Sequence, residues 1–318
     1  MDSCVLIGFN YSSRFNDKLR TFLRGIIVDL YICYKYVKDL IDITKITIIT
    51  DVTINYSISD LKNLIIDSSI DQGILNFVNE IISNKVLHLY TNKEDLMEII
   101  KSKFSNKKNI LFYYTGHSHD SEILLPSLND YFCYEYQDNN ELSINLSEIR
   151  ELLCDHTDQR SEIFMILDCC NSNGLSLPYK LADGVYRLNY DTLRQPLQLR
   201  FNLSGRGRGD SDMSEPLSKL KFPLQKIICF SSSSIDESSI ILNSGSIFTY
   251  TLFKNIKSHR NITELISLIS TECLKKFEQN ANVCSSYPNL KLIWRWLTIN
   301  DGIKIEINHL KNFFVKKE

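Results

Sequence analysis

Asn109-Ile110-Leu111-Phe112-Tyr113-Tyr114-Thr115-Gly116-His117-Ser118 and Ser161-Glu162-Ile163-Phe164-Met165-Ile166-Leu167-Asp168-Cys169-Cys170 decide the fold of this chain. Each is an apolar run that stops at a polar, reactive residue. A strand buried on both faces reads as such an unbroken run, and it ends where it emerges at the carboxyl edge of a parallel sheet. In open α/β sheets that edge is where ligands bind. One run delivers the imidazole of His117 there and the other the thiol of Cys170. A cysteine nucleophile with a histidine base is therefore the leading expectation. Cys169 continues the strand's alternation toward the core, whereas Cys170 falls in the turn, which assigns the nucleophile to Cys170 and packing to Cys169.

Outward from these two strands, strand and helix signals alternate. Residues 3–9 read as a first buried strand and the β-branched residues 44–50 as a second, with an amphipathic stretch from Asn16 to Leu40 between them. Helical patterns follow at 58–66, 73–84 and 93–104, ahead of the His117 strand. Residues 122–136 suggest a β-hairpin on the rim. Asn145 to Cys154 reads as a short helix, with Asn145 as N-cap and Glu148 at the capping-box spacing. Residues 190–222, with Gly205-Arg206-Gly207-Arg208-Gly209, read as an exposed, flexible linker. Order returns with a strand at Gln225 to Phe230, helices at Ser246 to Ile256 and Ile262 to Gln279, and β-like segments at 289–296 and 302–307. This alternation predicts one α/β domain, with a mostly parallel six-stranded sheet flanked by helices on both faces. Its parts are a larger unit (1–189), the linker (190–222) and a smaller unit (223–318). The first strand begins at once, so no prodomain is expected.

Composition narrows the function classes. At 318 residues and 43% hydrophobic content the chain can bury a large core. Lys and Arg total 36 against 38 Asp and Glu, which gives no electrostatic reason to expect nucleic acid or an anionic membrane as a partner. The N-terminus carries no secretory signal pattern, and no apolar run approaches the roughly 18 residues that span a bilayer. A cytoplasmic location is expected. The 9 cysteines include no C-x-x-C pair and the 6 histidines are scattered, so reduced thiols and no structural zinc are expected.

Five ordered motifs extend the dyad. They are Val5-Leu6-Ile7-Gly8-Phe9-Asn10-Tyr11 with Leu23-Arg24-Gly25-Ile26-Ile27-Val28-Asp29, then Tyr114-Thr115-Gly116-His117-Ser118, then Asp168-Cys169-Cys170-Asn171-Ser172-Asn173 with Leu175-Ser176-Leu177-Pro178-Tyr179, then Gly245-Ser246-Ile247-Phe248-Thr249-Tyr250, and last Tyr287-Pro288-Asn289-Leu290. In this order they resemble the caspase-fold cysteine peptidases, specifically the type I metacaspases. The resemblance implies a caspase-like sandwich and hydrolysis of peptide bonds through a thioester, with His117 as base and Cys170 as nucleophile. It implies an oxyanion hole from N–H groups near Gly116 and Cys170. It also implies a pocket in which Asp29 and Asp168, with Thr115 in place of the family's serine, select Arg or Lys before the scissile bond. Two carboxylates suit a guanidinium and repel an acidic side chain.

Departures from the family pattern carry expectations of their own. Asn171-Ser172-Asn173 stands where the family has His-Ser-Gly. The carboxylates with which many relatives bind calcium are replaced by Ser176 and by Leu146-Ser147. Calcium sites need several carboxylates among six to eight oxygens, so calcium-independent activity with no cofactor is expected. Arg194, Arg200, Arg206 and Arg208 place possible self-cleavage sites in the 190–222 linker. The expected partners are protein or peptide substrates, and the expected state is a monomer. Two alternatives share the dyad: a catalytically weak caspase-fold scaffold, and a cysteine hydrolase or transferase acting on small molecules.

Overall fold

The apolar runs lie side by side at the centre of one sheet. The computed structural model describes residues 1–11, 23, 25–51, 72–119, 121–126, 142–170, 172, 177–182, 185–188, 224–234, 237–242, 245–259, 262–277 and 279–287. The strands are β1 (Ser3–Gly8), β2 (Ile46–Thr50), β3 (Leu87–Leu89), β4 (Asn109–Thr115), β5 (Ser118–His119), β6 (Glu122–Leu124), β7 (Ser143–Asn145), β8 (Glu162–Asp168), β9 (Tyr179–Ala182), β10 (Val185–Leu188), β11 (Lys226–Ser231), β12 (Ile241–Leu242), β13 (Gly245–Ser246) and β14 (Asn282–Ser285). The helices are α1 (Ile26–Val37), α2 (Gln72–Ser83), α3 (Lys93–Phe104), α4 (Leu146–His156), α5 (Ile247–Asn255) and α6 (Ile262–Phe277).

The main sheet runs β10-β9-β14-β11-β8-β4-β1-β2-β3. From β11 to β3 every pairing is parallel, and β14, β9 and β10 add antiparallel. The expected six strands are thus corrected to nine among the described residues, mixed in direction but mostly parallel. The three added strands have four residues each and include Lys180, Arg187 and Asn282, so none presents an apolar run. At the opposite edge, Leu87-His88-Leu89 is shorter still, with Leu87 and His88 half-buried and Leu89 exposed.

Alternation along the central strands divides the core into two layers. Leu6, Leu111, Tyr113, Phe164, Ile166, Ile228 and Phe230 pack with α1, α2, α5 and α6. Val5, Ile7, Ile110, Phe112, Ile163, Met165 and Ile227 pack with α3 and α4 on the other face. Helices therefore cover both faces. A fully buried side chain of this size contributes about 1.5–3 kcal/mol, so these central strands carry the core of the described fold.

Local signals set the flanking helices. At α4 the Asn145 side chain accepts the Ser147 N–H at 2.9 Å, and the Asn145 N–H donates to Glu148 Oε1 at 3.2 Å. This is the expected capping box. Glu122–Leu124 pairs antiparallel with both β5 and β7 in a small separate sheet. The helix expected at 58–66, the hairpin beyond residue 126, the 190–222 linker and the segments at 289–307 lie outside the described residues. Among the described residues no helix is long and apolar enough to cross a membrane.

Candidate active site

Thr115 and Asp168 are direct partners at the end of the β4–β8 ladder. Each strand releases its reactive residue two positions later, so the register itself brings His117 and Cys170 to the same edge. The crossing is stitched together. The Gly116 N–H donates to the Asp168 carbonyl at 3.3 Å, and the Ser118 hydroxyl donates to the Cys170 carbonyl. Gly116 leaves room that no other residue would: a Cβ there would lie 2.5 Å from Tyr114 Oη and 3.1 Å from Tyr11 Oη.

The thiols differ as alternation requires. Cys169 is fully buried in the α3/α4 layer, and burial pushes its thiol far up from the ordinary value. Cys170 is partly exposed, and the Ser239 N–H points at its Sγ from 3.3 Å. The turn is held from behind by the serines that end and follow β11. Ser232 and Ser233 hydroxyls donate to the Cys169 carbonyl at 3.2 and 2.9 Å, and Ser231 donates to the Ser172 carbonyl at 3.0 Å.

His117 is fixed through its backbone. Its N–H donates to Tyr11 Oη at 2.9 Å, and Tyr114 Oη donates to its carbonyl at 2.6 Å. The Tyr11 and His117 rings lie 4.9 Å apart, and the Tyr11 hydroxyl donates onward to the Leu124 carbonyl at 2.9 Å. Tyr11 has φ 61°, left-handed backbone that a bulky non-glycine residue rarely adopts. Such conformations persist only where the surroundings hold them.

Asp29, from the first turn of α1, and Asp168, from the end of β8, are both completely buried. Asp29 accepts the Ser246 N–H at 2.7 Å and the Thr115 hydroxyl at 3.4 Å. Asp168 accepts the Ser239 hydroxyl at 2.9 Å and the Thr249 hydroxyl at 2.5 Å. Tyr113 Oη lies 2.8 Å from the same Thr249 oxygen, which can accept its proton. Burial drives the Asp29 carboxyl well above the ordinary 3.8, and the Asp168 charge drives it further. Burial also raises Asp168, against the pull of its hydroxyl partners. Among the described residues neither carboxylate has an ion-pair partner.

The residues singled out from sequence thus share one edge: Asp29, Thr115, Gly116, His117, Asp168 and Cys170. The hydrogen-bonding partners that complete the site are Tyr11, Ser239, Ser246 and Thr249. Three of these four lie inside the motifs quoted above, whereas Ser239 sits in a serine-rich stretch with no signal of its own. Leu146 is buried in the core and the Ser147 hydroxyl donates to Asn145 Oδ1 at 2.6 Å, so neither position offers a carboxylate. Ser176 lies outside the described residues. Among the described residues no group of three or more His, Cys, Asp or Glu side chains could hold a metal ion.

No protein-family model and no curated protein matches the chain. Among solved structures, protein GSU0716 from Geobacter sulfurreducens aligns over 92% of this chain and 96% of its own, with a TM-score of 0.48 and 12% identity. Nothing of chemistry transfers at that level of likeness.

Proposed function

We propose that this chain is a caspase-fold cysteine endopeptidase that cleaves after Arg or Lys without calcium. The observation that carries the reading is the pair of completely buried carboxylates, Asp29 and Asp168, near Cys170 and supplied, among the described residues, only with neutral donors. A guanidinium or ammonium group entering between them would regain by charge-assisted hydrogen bonds what it loses in water.

In the proposed reaction His117 takes the Cys170 thiol proton and the thiolate attacks the scissile carbonyl carbon. His117 returns the proton to the leaving amine as the C–N bond breaks, which leaves a thioester. Water, deprotonated by His117, then releases the acid and restores the thiol. The Cys170 N–H is the oxyanion donor in this reading. The Gly116 N–H would join it only by leaving the Asp168 carbonyl. Basic residues of the 190–222 linker are candidate substrates of the same site.

Paired fluorogenic peptides ending in Arg and in Asp test the reading on wild type and Cys170→Ala, each with calcium and with chelator. Arg-peptide cleavage that needs Cys170 and ignores the chelator is the expected result. Absence of cleavage under every condition, with intact mass unchanged through the linker, would replace the peptidase reading with that of a scaffold.

A further inference from the structure

Ser239 is the residue through which the pocket touches the nucleophile. Its backbone N–H points at Cys170 Sγ from 3.3 Å, while its hydroxyl donates to Asp168 Oδ1 at 2.9 Å. The short segment that carries it is laced down on both sides. Glu237 accepts the N–H groups of Ser234 and Asn280 at 3.0 and 3.2 Å and the Asn280 side chain at 2.6 Å. Gln279, fully buried, accepts the Ile240 N–H at 3.3 Å and donates to the Ser232 carbonyl at 2.8 Å and to Ser239 Oγ at 3.4 Å. The hydroxyl on Asp168 is then the contact that the pocket's occupant can alter.

We propose that Ser239 is a positioning residue that couples pocket to sulphur: a cation seated at Asp29 and Asp168 tightens the Ser239 hydroxyl on Asp168 and so fixes the Ser239 N–H on Cys170 Sγ. The inference rests on the basic-pocket reading above and adds to it that a basic side chain helps align the thiol that attacks beside it. The physical basis is the charge on the acceptor. Burial pushes both carboxyls toward their neutral form, and a neutral carboxyl accepts more weakly than a charged one. A cation beside them favours the charged form, and a hydrogen bond to a charged acceptor is roughly twice as strong. Carboxylate oxygens have lone pairs enough to serve the cation and Ser239 together.

The test uses n-propylguanidinium, which fills a basic pocket without reacting, and iodoacetamide, which is small and uncharged. Alkylation is read by mass spectrometry on the Cys170 peptide, and propylguanidinium binding by calorimetry, in wild type, Ser239→Ala and Ser239→Thr. Propylguanidinium should speed Cys170 alkylation about fivefold in wild type, which corresponds to a gain of about 1 kcal/mol in hydrogen bonding. Ser239→Thr should keep the acceleration. Ser239→Ala should bind propylguanidinium and lose it. Equal acceleration in wild type and Ser239→Ala would mean that the cation acts through space, and the coupling falls. Slowed or unchanged alkylation in wild type that demonstrably binds the cation overturns it as well. Failure of wild type to bind propylguanidinium at all overturns the basic pocket itself, and the coupling with it. A result in which alkylation couples as proposed but Arg peptides are not cleaved would sustain Ser239's role and remove only the peptidase reading.

Discussion

The Tyr11 hydroxyl accepts the backbone N–H of His117 at 2.9 Å, and its ring lies 4.9 Å from the imidazole. Residue 11 thus holds His117 from a strained left-handed backbone. Tyr11→Phe keeps the ring and removes the acceptor, leaving the His117 N–H without this partner. A hydrogen bond of this kind is worth about 1 kcal/mol, so kcat should fall about fivefold with KM little changed. Steady-state kinetics on an Arg peptide decide it; a change confined to KM would mean that Tyr11 serves the pocket and not the base.

Asp168→Asn and Asp29→Asn each preserve shape and remove a charge. Charge-assisted hydrogen bonds contribute about 1.5–3 kcal/mol, so kcat/KM for Arg peptides should fall about 10- to 100-fold in either variant. Circular dichroism should show both folded, because a buried acid that lacks a cation gains little from its charge. Retained Arg cleavage in both variants would place the specificity elsewhere.

The same burial fixes a pH dependence. Asp29 is raised well above 3.8 in the folded chain, so its contribution to stability is fully present below the unfolded value and is lost as pH rises through the folded value. Asp29→Asn should therefore gain melting temperature relative to wild type as pH rises from 4 toward neutrality, about 4 being where an unfolded aspartate titrates. Paired thermal melts across that range measure the difference. A gap that is constant with pH would mean that the Asp29 carboxyl does not change its protonation on folding.

How much of this was legible follows from what each residue responds to. The parallel strands announce themselves because both their faces are buried, so β4 and β8 read as apolar runs and their ends as the site. α4 reads from its own capping residues, Asn145 and Glu148. β9, β10 and β14 pair antiparallel at one side of the sheet with polar residues among only four positions each, and such patterns do not distinguish strand from loop. Ser239 reaches Asp168 across 71 positions, and the Ser246 N–H reaches Asp29 across 217. Contacts of that range are created by strand order and have no local signature.

Gly245 makes the longest of these contacts possible. Its φ of 98° is left-handed backbone that favours glycine, and a Cβ there would lie 2.6 Å from Asp29 Oδ1. The Ser246 N–H that follows can therefore reach Asp29 at 2.7 Å. Gly245→Ala forces a choice: either the backbone of β13 shifts away and Asp29 loses its shortest donor, or the Asp29 side chain turns and leaves the pocket. Strain of this kind costs about 1–3 kcal/mol, so the melting temperature should drop by several degrees. Arg-peptide kcat/KM should fall with it, while iodoacetamide still labels Cys170. If Gly245→Ala melts lower but cleaves Arg peptides as wild type does, the Ser246–Asp29 hydrogen bond holds the fold together and does not shape the pocket.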